Sequence, residues 1–154
     1  MSKKKPTPLS GLPEWLPETR SVEAELLDRV RCVFERYGYL PVETSALELL
    51  DVLCIKGEID KEIYVVRNIH EQEKEDFGLH FDLTVPLARY VAQNYGQLAF
   101  PFRRYQIQKA WRGERPQRGR FREFYQCDID VVGRETLSPY FEYEVLSAGL
   151  KALR

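Results

Sequence analysis

Residues 104–133, RYQIQKAWRGERPQRGRFREFYQCDIDVVG, alternate in a way that predicts two β-strands joined by a basic loop. Successive side chains of a strand point to opposite faces, so each alternating set shares one face. The mainly apolar face comprises Tyr105, Ile107, Lys109, Trp111, Glu123, Tyr125, Cys127, Ile129 and Val131. The polar face comprises Gln106, Gln108, Ala110, Arg112, Arg122, Phe124, Gln126, Asp128 and Asp130. The loop residues 115–120, RPQRGR, contain the proline and glycine typical of a wide hairpin connection.

The polar face of this hairpin could simply be solvated, as in many antiparallel sheets. However, it includes the aromatic ring of Phe124, and it has Arg112 and Arg122 near the loop and carboxylates near the far end. Guanidinium groups suit phosphate, and an aromatic ring can stack on a base. The pattern favours a ligand with an anionic end, a flat ring and a cationic end.

Composition limits the remaining possibilities. The 154 residues predict one domain, and 23 Lys+Arg against 24 Asp+Glu give no overall attraction to nucleic acid. The three cysteines are odd in number and widely spaced, which argues against a disulfide framework and favours a reducing compartment. No apolar run has transmembrane length and no signal-peptide core follows the first lysines, so a cytoplasmic protein is expected.

The rest of the chain predicts helices first and then strands with helices between them. A helix is expected over residues 18–37, ending at Gly38, followed by an extended segment that Pro41 keeps at a sheet edge. Ser45 and Glu48 form a capping-box pattern that predicts a second helix. Strands are expected over residues 62–68 and 79–84 with an acidic loop at 71–78, then a helix capped by Thr84 and a last helix after residues 138–139. This order indicates an α+β fold, an antiparallel sheet flanked by helices.

Several chemistries lack their sequence patterns. The chain has no P-loop, no G-x-G-x-x-G, no C-x-x-C and no H-E-x-x-H. Its two histidines, His70 and His80, are accompanied by no nucleophile-elbow motif. Asp128 and Asp130 share one strand face and would lack the opposite wall of a glycosidase site.

Three stretches together resemble a known family. The triplet Arg112-Gly113-Glu114, the basic loop and RFREFYQCDID are similar to motif 2 of class II aminoacyl-tRNA synthetases, and the subfamily they resemble is histidyl-tRNA synthetase. Residues 16–53 resemble motif 1, the helix and proline-bearing strand of the family's dimer interface. Residues 61–83 resemble the segment that carries an acidic amino-acid-binding residue and a threonine. The resemblance covers residues 11–133 and implies a catalytic domain over residues 14–154. Residues 1–13 are rich in Lys, Pro, Ser and Gly, and this composition predicts a loose N-terminal arm.

The resemblance implies roles for particular residues on the ATP side and the tRNA side of a site. Arg112 would clamp the α-phosphate of ATP as the catalytic arginine, Glu114 would meet the adenine amino group, and Phe124 would stack on the adenine. At the loop tip, a set of polar side chains would contact the acceptor end of tRNA, namely Arg115, Gln117 and Arg118. Mg²⁺ would arrive with ATP, and no protein side chain is expected to bind a metal.

The resemblance also implies an amino-acid end. Asp82, Thr84 and Gln126 would hold the amino group of histidine, and Asp130 would accept a hydrogen bond from its imidazole. The family more often has glutamate where this chain has Asp82 and Asp130.

The implied function is histidine–tRNA ligase: adenylation of histidine by ATP and transfer to tRNA(His), in a homodimer built on motif 1. The sequence ends at Arg154, before the family's third motif and anticodon-binding domain, so a truncated catalytic domain with an exposed apolar edge that self-associates is expected. Two alternatives remain open. One is a non-ligating paralogue of the type that regulates ATP phosphoribosyltransferase, and the other is an RNA-binding or dimerisation module that uses only the basic loop.

Overall fold

The computed structural model describes residues 6–56, 62–69 and 76–154. Its helices are α1 (Pro17–Arg36), α2 (Leu50–Leu53), α3 (Thr84–Asn94) and α4 (Tyr140–Ala152), and a 3₁₀ turn covers Cys54–Lys56. Its strands are β1 (Leu40–Pro41), β2 (Leu47–Leu49), β3 (Val65–Val66), β4 (Phe77–Leu79), β5 (Phe102–Trp111) and β6 (Glu123–Val132). The α+β class expected from the sequence is confirmed.

The predicted hairpin is formed by β5 and β6, which pair antiparallel along their whole length from Phe102↔Val132 to Trp111↔Glu123. In this register the residues of each predicted face oppose one another, for example Tyr105↔Ile129 on one face and Gln106↔Asp128 on the other. The two predicted faces are therefore confirmed.

Helices α1 and α4 cover the apolar face of the hairpin. The buried residues Phe34 of α1, Tyr105 of β5 and Ala148 of α4 meet Tyr39 in one core cluster. Apolar side chains that are partly buried surround this cluster, among them Val30, Ile107, Cys127, Ile129, Val131 and Val145. Because one face is occupied by helices, the polar face is the side on which a ligand can be bound.

Two other segments pair with the edge of β5 that faces away from β6. Strand β1 pairs parallel with β5 at Leu40↔Arg104 and Pro41↔Tyr105, which makes β1 an edge strand, as Pro41 predicted. Further along the same edge, the N–H of Trp111 donates to the carbonyl oxygen of His80 at 3.2 Å. The His80 ring is fully buried and has its Nδ1 and Nε2 atoms 3.0 and 2.6 Å from the carbonyl oxygens of Ser45 and Lys109. It therefore has a structural position between two strands.

A second sheet has the order β2-β4-β3 and is antiparallel throughout. Its formation corrects the capping-box prediction, because Leu47–Leu49 is a strand paired with β4 and the helix begins only at Leu50. The Glu48 carboxylate is buried in an ion pair with Arg89 of α3. The Ser45 hydroxyl accepts a hydrogen bond from the N–H of Leu47, 3.2 Å away, inside this extended segment. Both side chains are thus used in tertiary structure and not in a helix cap.

Other boundaries shift as well. The strand expected over residues 62–68 is limited to Val65–Val66, and the one expected over residues 79–84 is Phe77–Leu79. Residues 71–75 of the acidic loop, and His70 before it, lie outside the described part of the chain. The last helix begins at Tyr140, directly after the expected Ser138-Pro139 start, and its first N–H lies 3.4 Å from the Ser138 hydroxyl oxygen. No helix in the described ranges has the length and apolarity needed to cross a membrane.

Candidate nucleotide and amino-acid site

The polar face of the β5–β6 hairpin forms the floor of the candidate site. Side chains of opposed residues stand next to each other on this floor, in the pairs Arg104↔Asp130, Gln106↔Asp128, Gln108↔Gln126 and Ala110↔Phe124. The predicted site residues Phe124, Gln126 and Asp130 therefore lie in a row along β6, with Phe124 nearest the loop.

Arg112 lies at the loop end of this floor, between two aromatic rings. Its guanidinium carbon is 4.5 Å from the ring centroid of Phe81 and 4.9 Å from that of Phe124. Its Nε–H group points to the Phe81 carbonyl oxygen at 3.4 Å. Within the described part of the chain, no carboxylate forms an ion pair with Arg112. A guanidinium that is held by rings and is not neutralised by a carboxylate is suited to bind an anionic group.

Glu114 lies in the stem of the loop that joins β5 to β6. Its carboxylate forms an ion pair with Arg120, and its carbonyl oxygen accepts a hydrogen bond from Nε of Arg122 at 2.8 Å. The Glu114 side chain is 13% exposed, so it is largely shielded from bulk solvent. Its expected contact with an adenine amino group stays a prediction.

The tip of the loop is a tight turn. Gln117 and Arg120 exchange backbone hydrogen bonds of 3.1 and 2.9 Å across Gly119, whose φ of 76° is in the left-handed region that glycine adopts readily. The side chains expected to meet tRNA, Arg115, Gln117 and Arg118, are exposed along this turn. They lie apart from the floor that carries Phe124 and Asp130.

The far end of the floor contains an arginine that the sequence reasoning did not assign to the site. Arg104 is 1% exposed, its Nη2 lies 2.5 Å from Oδ2 of Asp130, and its Nη1 lies 3.2 Å from Oε1 of Gln106. Burial lowers the pKa of Arg104, and the charges of Asp130 and Asp128 oppose this change. The expected carboxylates do lie at the far end, but Asp130 is balanced there by a buried cation. Continuing the alternation back from Gln106 would have placed Arg104 on this face.

Asp128 is the carboxylate that has no such ion pair among the described residues. Burial raises the pKa of Asp128, the charges of Asp130 and Asp82 raise it further, and those of Arg104 and Arg112 lower it. Beside Asp128 on the same face, the Oε1 atom of Gln126 is buried without a hydrogen-bond partner in the described part of the chain. A buried acceptor next to an unpaired carboxylate is suited to bind a cationic donor group such as an ammonium.

Asp82 and Thr84 lie at the start of α3, just after Phe81, whose carbonyl group and ring contact Arg112. One oxygen of Asp82 accepts hydrogen bonds from the N–H groups of Thr84 and Val85 at 3.0 and 3.4 Å. Asp82, and not Thr84 as expected, therefore caps the helix; Thr84 is its first residue and is exposed. The charge of Asp82 raises the pKa of Asp128, so Asp82 is close enough to interact electrostatically with the floor.

A hydrogen-bonded chain fixes the middle of the floor. Nε2 of Gln106 donates to the Thr44 hydroxyl at 3.0 Å and to Oε1 of Gln108 at 2.6 Å, and Nε2 of Gln108 donates to the Thr44 carbonyl at 2.8 Å. Gln106 and Thr44 are both buried. Because these amides are satisfied by one another, the floor between Arg112 and Arg104 is preformed.

The hairpin with a ring-flanked arginine at one end and carboxylates at the other agrees with the resemblance to class II aminoacyl-tRNA synthetases, and comparisons with known proteins identify the family. The family model described as histidyl-tRNA synthetase matches residues 11–154. A curated histidine–tRNA ligase of Thermobifida fusca is 55% identical over 145 residues, which cover 92% of this chain and 33% of the relative. The chain belongs to the histidyl-tRNA synthetase family.

Solved structures agree with this family. The crystal structure of histidyl-tRNA synthetase from Nostoc sp. PCC 7120 matches with a TM-score of 0.84 and 44% identity, over 96% of this chain and 33% of that chain. A Bacillus halodurans structure described as an ATP phosphoribosyltransferase regulatory subunit/histidyl-tRNA synthetase matches with a TM-score of 0.76 and 24% identity, over 99% of this chain and 38% of that one. At that identity the second match shows the shared fold only. The chain spans about a third of the length of the relatives it matches.

Proposed function

We propose that this chain provides the ATP-binding and histidine-binding floor of a histidine–tRNA ligase. The observation that supports this most directly is Arg112, which lies between Phe81 and Phe124 and forms no ion pair with a carboxylate in the described ranges. A ligand whose flat ring stacks on Phe124 would have its phosphate within reach of this guanidinium. The Thermobifida fusca relative, a histidine–tRNA ligase by name, is 55% identical to the chain.

The first reaction of such a ligase is adenylation. A carboxylate oxygen of histidine attacks the α-phosphorus of ATP, a P–O bond forms, and the bond from that phosphorus to the β-phosphate bridging oxygen breaks. Pyrophosphate leaves with the bond electrons and histidyl-adenylate remains. The reaction needs no protein nucleophile, so the contribution of Arg112 is to hold two anionic groups together and to stabilise negative charge at phosphorus.

The remaining site residues divide between the two substrates. Phe124 and Glu114 would contact the adenine, and Gln126, Asp82 and Thr84 would hold the amino group of histidine. Asp130 would accept a hydrogen bond from imidazole, and since its side chain is 45% exposed it can do so while paired with Arg104. Gln126, whose Oε1 atom is buried without a hydrogen-bond partner in the described part of the chain, would penalise analogues that leave it unpaired.

ATP would enter as its magnesium complex. In the described ranges no group of three or more His, Cys, Asp or Glu side chains could hold a metal ion, so the residues present do not form a protein cage for Mg²⁺. Mg²⁺ commonly reaches such sites on phosphate oxygens. The metal is therefore part of the substrate in this proposal.

For the complete ligase we propose tRNA(His) as the second substrate, contacted through Arg115, Gln117 and Arg118, a homodimer through the region of α1, and a cytoplasmic location. Two apolar side chains of α1, Val22 and Leu26, are 58% and 56% exposed, which fits a helix that is covered by another subunit. The chain spans about a third of the length of the Thermobifida fusca relative. It would therefore supply the contacts of motifs 1 and 2, and other parts of the ligase would form the opposite wall of the site.

The test is a pair of substitutions at opposite ends of the floor, followed by calorimetric titration with MgATP and with histidine. Losing a charge-assisted contact should weaken ATP binding about 10-fold or more in Arg112→Ala, and Asp130→Asn should weaken histidine binding similarly. Arg29→Ala, on an exposed arginine of α1, is the matched control. ATP binding that is unaffected by Arg112→Ala would contradict the proposal. Histidine binding without ATP binding would favour the regulatory paralogue, and RNA binding alone would favour the RNA module.

A further inference from the structure

Residues 10–15 lie against the stem of the loop that joins β5 to β6. The carbonyl oxygen of Gly11 accepts hydrogen bonds from the N–H groups of Arg122 at 2.7 Å and Glu123 at 3.3 Å. Trp15 packs edge-on against Phe121 with ring centroids 5.7 Å apart. These contacts join a segment far away in sequence to the first residues of β6.

Arg122 connects this segment to the site residues. Its Nε donates to the Glu114 carbonyl at 2.8 Å, its Nη1 points to the Ser10 carbonyl at 3.4 Å, and its own carbonyl accepts the N–H of Arg112 at 2.8 Å. The Arg122 guanidinium thus bridges two backbone carbonyl groups, whereas the Arg112 guanidinium lies between two aromatic rings. Arg122 holds in place the two residues, Arg112 and Glu114, that are proposed to contact ATP.

Position 11 is suited only to glycine. Its φ is 82°, in the left-handed region, and a Cβ atom there would lie 3.0 Å from Cγ of Arg122 and 3.0 Å from Cβ of Pro116. Any larger residue would strain the backbone and push the segment away from the stem.

We propose that residues 10–15 act as a clamp on the loop stem, in which Gly11 and Arg122 are positioning residues for nucleotide binding. This rests on the proposed function of Arg112 and Glu114. A loop of this length loses conformational entropy when it orders around a ligand, and a stem held in advance lowers that cost. The clamp should therefore affect ATP binding and leave histidine binding at the far end of the floor unchanged.

The experiment compares Gly11→Ala with Gly96→Ala. A Cβ at Gly96 meets nothing within 4 Å and its φ is outside the left-handed region, so that substitution is the matched control. Affinities for MgATP and for histidine are measured by calorimetry, and amide hydrogen exchange is followed across residues 112–123. Arg122→Lys, which keeps the charge but cannot place two donors on the Ser10 and Glu114 carbonyls in the same way, is the second variant.

We expect Gly11→Ala and Arg122→Lys to weaken ATP binding about 3- to 10-fold, with histidine affinity within about twofold of wild type. The Arg122 and Glu123 amides should exchange faster in Gly11→Ala and at the wild-type rate in Gly96→Ala. Faster exchange with unchanged ATP affinity would overturn the positioning role, as would an equal loss of both ligands. If the wild-type chain does not bind ATP, both the proposed function and the nucleotide role of the clamp are contradicted. If the wild-type chain binds ATP and the variants bind it equally well, only the role of the clamp is contradicted.

Discussion

Arg104 determines which charges the far end of the site presents. A buried guanidinium is costly unless it is paired, and Arg104 has Asp130 at 2.5 Å and Gln106 at 3.2 Å. Asp130 is thereby held in one orientation and its charge is balanced. Asp128, on the same face, has no direct ion pair among the described residues, so it is the group whose ionisation should affect stability.

We expect Asp128→Asn to raise the free energy of unfolding at pH 7. Burial raises the pKa of Asp128 above its usual value of 3.8, so the folded state favours the protonated form. Stability from this group is fully present below pH 3.8 and is lost as the pH rises through the raised folded-state value. The asparagine side chain does not ionise, so the variant does not lose this stability as the pH rises. Urea unfolding between pH 4 and pH 7 should therefore show an advantage for the variant that shrinks as the pH falls; an advantage independent of pH would contradict this explanation.

At the residue scale, the sequence placed side chains on the correct faces but did not show their partners. Alternation was sufficient to put Phe124, Gln126 and Asp130 on the polar face. Pairing Arg104 with Asp130 required the register, which depends on how the loop closes and cannot be counted from alternation alone.

At the scale of elements, the short strand β4 is fitted closely between its neighbours. A Cβ atom added at Gly78 would lie 2.8 Å from Cγ2 of Ile63 and 2.9 Å from Cδ1 of Leu53. We expect Gly78→Ala to destabilise the fold by about 1–3 kcal/mol through overpacking, measured by urea unfolding. Gly96→Ala should be unchanged or slightly more stable. Equal stability of the two variants would show that β4 can accommodate a methyl group at position 78, contrary to the close contacts seen in the structure.

The loop between β5 and β6 should contribute charge to tRNA binding without affecting histidine. Replacing both Arg115 and Arg118 by alanine removes two exposed cations from its tip. The slope of log K against log salt concentration for tRNA(His) should then become shallower by about 1 to 2. Asp130→Asn and Arg29→Ala are the controls and should leave the slope unchanged. An unchanged slope in the double variant would place the RNA contact elsewhere.

Local signals predicted the elements correctly where no tertiary partner competed. Gly38 lies just past α1 with a φ of 79°, the left-handed conformation that glycine adopts readily, and Pro41 marks an edge strand. Gly96 lies just past α3 without such a φ. The Ser45–Glu48 pattern failed because a distant residue, Arg89, pairs with the Glu48 carboxylate, and because β4 offers Leu47–Leu49 a strand partner. Local propensity could not reveal either partner.

At the scale of the whole molecule, the two faces of the β5–β6 hairpin have different roles. Its apolar face binds α1 and α4 into the core, and its polar face carries the candidate site. Sequence alone identified this division, the α+β class and the family. It did not identify the clamp on the loop stem, because contacts between residues 10–15 and residues 121–123 depend on the folded path of the chain.

The most direct test of the proposed chemistry is histidine-dependent exchange between ATP and pyrophosphate, which reports adenylation alone. The chain would be assayed with the remaining part of the Thermobifida fusca relative supplied in trans, with Arg112→Ala in parallel. We expect exchange that requires histidine and disappears in Arg112→Ala. Exchange that persists without histidine or in the Arg112 variant, or no exchange when both parts are present, would contradict adenylation on this floor.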